Sequence, residues 1–292
     1  MSKNSHATRA FILLSALVLS LSAPAQAEKP LAVFPTNGPP IILQSGDYEV
    51  TVKPTLAWTP AGIRFEGVPV GLSNGFYGTV LWIGPAQFIG TGHHEAGSEH
   101  VIDVTLLVDG VKKQLAPGSK YSGSKLELKK HSRIDKLDAK VTLRLDAKGL
   151  HEAVQLQAVA EQSLDGIYVF MHPFHTNFTE YAGAEGTNSY TGVLRSTGGW
   201  GLQKRVEWTA LYNPVEKLGV VVAYPQAYDV AGIKNGIWDQ KHYHKFYLQA
   251  MAKQNLAQGS THAWEMHLQC FRAPPAIWQK TATALARQPY SR

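Results

Sequence analysis

The feature that most constrains the fold is a long succession of short segments in which apolar and polar residues alternate. This period of two is typical of β-strands that bury one face. It is seen in YEVTVKP, VIDVTLLVDG, KLELKKH, AKVTLRLDA, EAVQLQAVAE, KFYLQAMA and HAWEMHLQCF. Turn signals separate the segments, as at Ser45-Gly46-Asp47, Asp109-Gly110, Asp165-Gly166 and Asn213-Pro214. The pattern predicts an all-β chain.

Two segments refine this prediction. AKVTLRLDAKGLHEAVQLQAVAE predicts a hairpin around Lys148-Gly149. PPAIWQKTATALARQ predicts a short C-terminal helix with Pro275 in its first turn and one face formed by Ile277, Trp278, Thr281 and Leu285. The chain has no fixed-period repeat and no linker between two domains. We therefore predict one domain over residues 28–292, a large antiparallel β-sandwich with a short C-terminal helix.

The first 27 residues have the order of a secretory signal peptide. Lys3 and Arg9 precede or flank an apolar run that ends near Leu21, and Ala25-Gln26-Ala27 has the small residues of a cleavage site. This predicts export to a periplasm or secretion, with no membrane span after the signal is removed. Removal takes away two bases and no acids, so the formal net charge falls from +6 to +4.

The remaining charge and the cysteine content exclude several classes. Lys and Arg are interleaved with acids, as in KLELKKHSRIDKLDAKVTLRLD, and form no dense basic patch, so we expect no nucleic-acid partner. Cys270 is the only cysteine, which excludes an internal disulfide framework and zinc sites built from several thiolates. Its place in an alternating segment predicts a buried thiol.

The order of the predicted strands resembles the galactose mutarotase-like supersandwich superfamily over roughly residues 40–272. The segments that carry the resemblance are VFMHPFHTNF in the middle of the chain and NLAQGSTHAWEMHL near its end. The resemblance implies a carbohydrate-active protein in which His175 matches the histidine that serves mutarotases as general acid. The motif with the mutarotase base has no match, because Glu265 is the nearby glutamate and its context differs.

The first of three polar clusters is GTGHHEAGSEH, residues 90–100, directly after an apolar strand. In an extended chain His93 and Glu95 share a face and His94 lies on the other. A histidine and a carboxylate on one face can orient a proton-transfer group or bind a metal. The flanking glycines allow the backbone to approach a ligand. The alternative is a polar loop whose histidines cap neighbouring backbone groups.

The second cluster is MHPFHTNFTEYAG, residues 171–183. Strict alternation would place His172 and His175 on opposite faces. Pro173 lies between them and predicts a sheet edge or a bulge, which could turn both histidines toward one cleft. Tyr181 follows in a glycine-containing loop. The alternative is one histidine buried with a hydrogen-bond partner and the other at the surface.

The third cluster is NGIWDQKHYHKFYLQ, residues 235–249. A strand here has one face with His242, His244 and Phe246 and another with Lys241, Tyr243, Lys245 and Tyr247. Two histidines at i and i+2 can share a metal or flank a substrate, and Trp238 offers a flat surface for a sugar ring. An exposed amphipathic strand with aromatic cross-strand pairs is an equally good interpretation.

Together the clusters favour an exported carbohydrate-active enzyme, most plausibly a polysaccharide lyase that cleaves an acidic glycan by β-elimination. This hypothesis makes His175 or His94 the base and Tyr181 or Tyr243 the acid. The substrate-binding residues would be Arg195 or Lys241 for the acidic group, with Trp238 and His172.

Three alternatives remain open at this point. One is a non-catalytic sugar-binding protein of the envelope, and another is an aldose-epimerase-like enzyme. The third is a metal-dependent glycan-processing enzyme that holds zinc or manganese through histidines and a carboxylate drawn from His93, Glu95, His172, His242 and His244. The sequence itself requires no cofactor. The expected partner in each case is an oligo- or polysaccharide, with an anionic one favoured by the lyase hypothesis.

Overall fold

The computed structural model describes residues 35–73, 75–85, 87–93, 97–225 and 234–288. The predicted signal peptide lies outside them. The strands of the described part are β1 Ile41–Ser45, β2 Tyr48–Lys53, β3 Thr59–Phe65, β4 Val68–Gly71, β5 Gly78–Gly84, β6 Gln87–Gly90, β7 His100–Val108, β8 Val111–Lys113, β9 Lys120–Ser122, β10 Lys125–Ile134, β11 Leu137–Asp146, β12 Gly149–Ala158, β13 Gln162–Phe174, β14 Glu180–Glu185, β15 Asn188–Val193, β16 Trp200–Lys204, β17 Trp208–Asn213, β18 Leu218–Ala223, β19 Lys234–Asp239, β20 His244–Leu256 and β21 Thr261–Arg272. A 3₁₀ turn spans Pro54–Leu56, and the helix α1 spans Trp278–Ala286.

The strands form two large sheets. The first sheet runs β16-β19-β20-β13-β4-β3-β2-β1-β9, and β5 adds to β13 and carries β6. The second sheet runs β15-β14-β17-β18-β21-β12-β11-β10-β7-β8. Every pair of named strands is antiparallel except β1 with β9. The predicted all-β fold with a large antiparallel β-sandwich is confirmed.

The core lies between the two sheets, because apolar side chains from both meet there. Ile167, Phe246 and Leu248 face inward from the first sheet, and Leu143 and Val154 face inward from the second. Removal of these side chains from water is the main driving force for the packing of the sheets. The alternation read from the sequence is therefore the alternation between this core and the two outer faces.

Smaller features also follow the sequence. The hairpin around Lys148-Gly149 forms, with Asp146 paired to Gly149 across β11 and β12. Cys270 is buried as predicted, and its backbone N–H donates to the Tyr48 hydroxyl at 2.8 Å. Burial raises the pKa of the Cys270 thiol.

The C-terminal helix packs on the outer face of the second sheet. Its Trp278 and Ala282 are buried, and the Trp278 ring stacks on Tyr212 at 4.9 Å. Ile277, which the helical pattern places on the same face, is instead 49 % exposed, because it precedes the helix and has a non-helical φ of −129°. No helix in the described ranges is long and apolar enough to span a membrane.

Candidate functional site

A cleft lies on the outer face of the first sheet, over the neighbouring strands β13, β19 and β20. Phe246 and Leu248 belong to the core between the sheets. Tyr247 stands between them in the strand, so its side chain points to the opposite face. It lines the cleft there, together with Tyr168 and Met171 from β13. In β20, strand alternation thus places Tyr247 in the cleft and Phe246 and Leu248 behind it.

The cleft has a volume of about 370 Å³. Aromatic side chains form most of its wall, and three other side chains complete it. The lining residues are Phe88, His93, Tyr168, Met171, Trp200, Trp238, Gln240, Tyr243 and Tyr247. This size and this composition, mostly aromatic with a few polar groups, are those of a small-molecule binding site.

The aromatic rings support one another by edge contacts. Trp200 meets Trp238 at 4.8 Å between ring centroids and Tyr247 at 5.6 Å, with interplanar angles of 73° and 68°. Tyr168 meets Tyr247 at 6.0 Å and 79°. Edge-to-face pairs hold aromatic rings in defined positions. The cleft is therefore a fixed surface with ring faces that can receive the apolar C–H face of a sugar.

The loop after β6 brings His93 to the cleft. Gly90 adopts a φ of 142°, and a Cβ there would overlap the Thr79 carbonyl group, so the close approach requires glycine. Lys245 reaches across from β20 and donates from Nζ to the Gly92 carbonyl oxygen at 3.1 Å. The His93 ring lies 5.6 Å from that of Phe88. His94 and Glu95, the other two residues predicted here, lie outside the described residues.

A bulge in β13 decides which of its side chains reach the cleft. The register with β20 shifts between Val169 and His172, and Phe170 has a φ of 53°. The predicted bulge is confirmed, although it precedes Pro173 rather than centring on it. β13 is not an edge strand, because β20 pairs with one side of it and β4 and β5 with the other.

The bulge leaves His172 facing the core. His172 is 1 % exposed, and its Nε2 lies 2.9 Å from a carboxylate oxygen of Glu152 on the second sheet. Its ring also meets the edge of Tyr77 at 5.3 Å. This contact connects the two sheets, and neither residue lines the cleft. The predicted role of His172 in substrate binding remains a prediction, and its surroundings favour a structural role.

His244 also faces inward and pairs with a carboxylate. Its Nδ1 lies 3.0 Å from Oδ1 of Asp239, and its Nε2 lies 3.4 Å from the Thr176 carbonyl oxygen. Asp239 additionally accepts backbone N–H bonds from Arg195 and Ser196 at 2.9 and 3.0 Å. Burial lowers the pKa of His244, and the Asp239 carboxylate opposes this effect. The pair fastens the loop after β15 to the start of β20.

A second cavity adjoins the cleft and shares Trp200 with it. Its volume is about 220 Å³, and its wall includes Tyr181, Arg195 and Asp239. Two of the predicted site residues, Tyr181 and Arg195, thus lie in this cavity, whereas Trp238 and Tyr243 lie in the cleft. Trp200 separates the two groups and offers a ring to both.

Besides His172 and His244, three further predicted residues line neither cavity. Lys241 and His242 are exposed in the turn between β19 and β20. His175 follows β13, where its backbone N–H bonds the Val70 carbonyl at 3.4 Å. Its Nε2 is buried and has no hydrogen-bond partner in the described ranges, and burial lowers its pKa. The predicted catalytic role of His175 is untested by this geometry.

The tyrosines of the cleft are held in the protonated form. Burial raises the pKa of Tyr168 and of Tyr243. Burial also raises the pKa of Tyr247, and the nearby phenols of Tyr243 and Tyr168 add to the effect. At neutral pH these groups are therefore hydrogen-bond donors, not phenolates.

Solved structures of other proteins share this architecture. A candidate aldose 1-epimerase from Escherichia coli K12 superposes with a TM-score of 0.54 and 11 % identity, covering 80 % of this chain and 99 % of the other. A protein from Synechocystis sp. PCC 6803 superposes with a TM-score of 0.52 and 10 % identity, covering 84 % and 100 %. The chain has the galactose mutarotase-like fold. No protein-family model and no curated protein matches the sequence.

Several residues of the cleft were not predicted from the sequence. Phe88, Tyr168 and Trp200 lie outside the three polar clusters, and Gln240 lies in the third cluster but was not predicted as a site residue. The sequence does contain one signal for the cleft: Tyr168 and Tyr247 alternate with apolar neighbours, so they lie on the opposite strand face. That signal identifies a face but not the residues that share it.

The galactose mutarotase-like scaffold also carries a group with the donors of a metal site, away from the cleft. His151, Glu265 and His267 each offer one donor atom, and these atoms all lie within 4.8 Å of one another. It is the one such group of three found in the described ranges. The residues predicted for zinc or manganese are placed elsewhere: His93 in the cleft, His242 in a turn, and His172 and His244 on carboxylates.

Proposed function

We propose that this protein binds a carbohydrate in the aromatic cleft of its first sheet. The observation that carries the proposal is the cluster of six aromatic side chains around a cavity of about 370 Å³. Tyrosine and tryptophan present an apolar face and a polar edge, which matches the apolar C–H face and polar hydroxyl rim of a sugar. The similarity to a candidate aldose 1-epimerase supports a carbohydrate ligand.

The neighbouring cavity extends this proposal to an oligosaccharide. Trp200 lines both cavities, so one sugar can stack in the cleft while the next unit reaches the cavity that contains Arg195. The exposed guanidinium of Arg195 would favour an acidic unit at that position. The favoured ligand is therefore a chain of at least two sugars with a carboxylate beside Arg195.

The finer proposal is β-elimination from a uronic acid unit. His93 and Tyr243 lie in the same cleft and can carry protons. Burial raises the pKa of the Tyr243 phenol, so the phenol is protonated and can donate to the leaving oxygen. His93 would remove the proton at C5. The electron pair of that C–H bond would form the new C4–C5 double bond as the C4–O bond breaks.

The test separates binding from turnover. Tryptophan fluorescence during titration with neutral and uronate oligosaccharides measures binding, and ultraviolet absorbance of the new double bond measures elimination. We expect Trp238→Ala to weaken binding, and Tyr243→Phe to remove elimination while binding remains. Binding without absorbance would refute the lyase reaction and support a sugar-binding protein. The absence of binding to any glycan would overturn the whole proposal.

An aldose-epimerase-like reaction is the second candidate, because the fold is that of a candidate aldose 1-epimerase. Polarimetry tests this reaction directly, because it measures the rate at which the anomers of a sugar interconvert. This reaction also needs an acid and a base, and His93 and Tyr243 in the cleft could serve as these groups. We rank elimination first because Arg195 in the adjoining cavity favours an acidic ligand.

Export completes the proposal. The signal-like first 27 residues would deliver the protein to a periplasm or to the medium, where polymeric glycans are accessible. Cell fractionation and the N-terminal sequence of the mature protein test this step. Retention of residues 1–27 in the cytoplasmic fraction would contradict it.

A further inference from the structure

Two histidines and a glutamate meet on the strands β12 and β21. His151 and His267 are directly opposite in the register of this antiparallel pair, and Glu265 lies two residues before His267 on the same face. The imidazole rings are stacked, with centroids 4.6 Å apart and an interplanar angle of 23°. His151 Nε2 lies 3.6 Å from Oε2 of Glu265. Adjacent strands thus hold three donor groups together without any loop.

The cluster faces away from the core and from the aromatic cleft. Glu152 follows His151 in the strand and reaches the first sheet, where it pairs with His172. Met266 and Leu268 flank His267 and belong to the core. Alternation therefore turns His151, Glu265 and His267 to the outer face of the second sheet. His151 is only 6 % exposed there, so the site is recessed.

We propose that His151, Glu265 and His267 form a binding site for one divalent transition-metal ion such as Zn²⁺. Two imidazole nitrogens and one carboxylate oxygen are a donor set that such ions use in proteins, usually with water in a fourth position. The donor atoms already lie within 4.8 Å of one another. Bonds of about 2.0–2.2 Å to a shared ion would require the donor atoms to move closer together when the ion binds.

A neighbouring cation, Arg144, is paired with a carboxylate of its own. Arg144 is opposite His151 in the register of β11 and β12. Its Nε and Nη2 donate to the same Glu127 oxygen at 3.2 and 2.9 Å, so the guanidinium is paired. Glu265 supplies the negative charge that a divalent ion favours.

The experiment uses the full chain without a histidine tag, freed of metal with EDTA and titrated with Zn²⁺ by calorimetry. We expect one ion per chain. Changes to residues that only support the ligands of a metal site commonly weaken metal binding about tenfold to a hundredfold. His267 would itself be a ligand, so His267→Ala should weaken binding by at least that much. Co²⁺ in place of Zn²⁺ should give a visible absorption spectrum that His267→Ala abolishes. Thermal unfolding should occur at a higher temperature with Zn²⁺ than with EDTA.

His262→Ala is the matched control, because it removes another histidine of β21 that lies outside the cluster and stacks on Trp264. It should retain the ion. Glu265→Gln gives a second variant with little change in volume, in case His267→Ala disturbs the sheet. Unfolding in EDTA checks that each variant is folded. Zinc affinity that is unchanged in both His267→Ala and Glu265→Gln, or the absence of a saturable site in the unaltered chain, would overturn the proposal.

Discussion

The inner and outer faces of strands β13, β19 and β20 carry different kinds of side chain, although both faces come from the same three segments. On the inner side, His172 and His244 are buried and bind carboxylates. On the outer side, Tyr168, Trp238 and Tyr247 line an open cleft. The histidines that first attract attention in the sequence thus have structural surroundings, whereas the aromatic residues between them have the exposure and the shape of a binding surface.

In this protein, the strand face on which a side chain lies indicates its role better than its residue type does. A histidine is a proton carrier only where a substrate can reach it, and a fully buried one that is paired with a carboxylate contributes to stability instead. His93 is the histidine of the described ranges that lines the cleft. The comparison predicts that inner-side changes affect folding and outer-side changes affect ligand binding.

The largest expected effect is on the inner side. His172→Ala would leave the Glu152 carboxylate buried without its partner, and such losses destabilise proteins by about 3–5 kcal/mol. Urea unfolding followed by circular dichroism measures the free energy of unfolding. Tyr243→Phe in the cleft is the control and should change it by less than about 0.5 kcal/mol. Equal stability of His172→Ala and the unaltered protein would contradict a structural role for the inner-side histidines.

The next effect is on the outer side. Trp238→Ala removes a ring face of the cleft and should weaken oligosaccharide binding about tenfold or more, which corresponds to ~1.4 kcal/mol. Trp238→Phe keeps an aromatic face and should retain most of the affinity. Calorimetric titration measures both variants, and stability should be nearly unchanged in each. A Trp238→Ala variant that binds as tightly as Trp238→Phe would contradict stacking in the cleft.

A smaller effect concerns pH. Burial lowers the pKa of His244 and of His175 in the folded protein below the value of about 6.5 that is usual for the unfolded chain. The unfolded chain then binds more protons, so stability is complete above about pH 6.5 and decreases as the pH falls below it. His175→Gln should make this dependence shallower. The free energy of urea unfolding, measured between about pH 5 and 8, gives this dependence, because histidines titrate in that range.

A steeper loss of stability at low pH in His175→Gln would contradict the assignment. His175 is a suitable choice because its Nε2 has no hydrogen-bond partner among the described residues, so glutamine removes the titration without breaking a hydrogen bond at that atom. His244 is less suitable, since its replacement would also break the contact with Asp239.

The smallest effect is expected in the exposed turn between β19 and β20. Lys241→Ala and His242→Ala should change the free energy of unfolding by less than about 0.5 kcal/mol, because neither side chain is packed. Oligosaccharide affinity should change by less than about twofold. A larger loss of affinity with Lys241→Ala would show that the turn closes over the ligand, and it would favour the predicted binding of an acidic group by Lys241.

The sequence by itself determined the all-β class, the helix at the C-terminus and the opposite faces of Phe246 and Tyr247. These are local properties, because side-chain direction in a strand repeats every two residues and needs no knowledge of the neighbouring strand. Pro173, which cannot donate a ladder hydrogen bond, predicted a sheet edge or a bulge nearby. It did not predict the effect on His172, since the direction of a bulge depends on the strand with which it pairs.

Only the tertiary structure decided which side chains meet. The cleft combines β6, β13, β16, β19 and β20, and the pair of His151 with His267 joins strands that are more than a hundred positions apart in the chain. Strand pairing is non-local and leaves no mark in the spacing of residues along one segment. The aromatic cleft and the histidine-glutamate cluster therefore became visible only once the sheets were assembled.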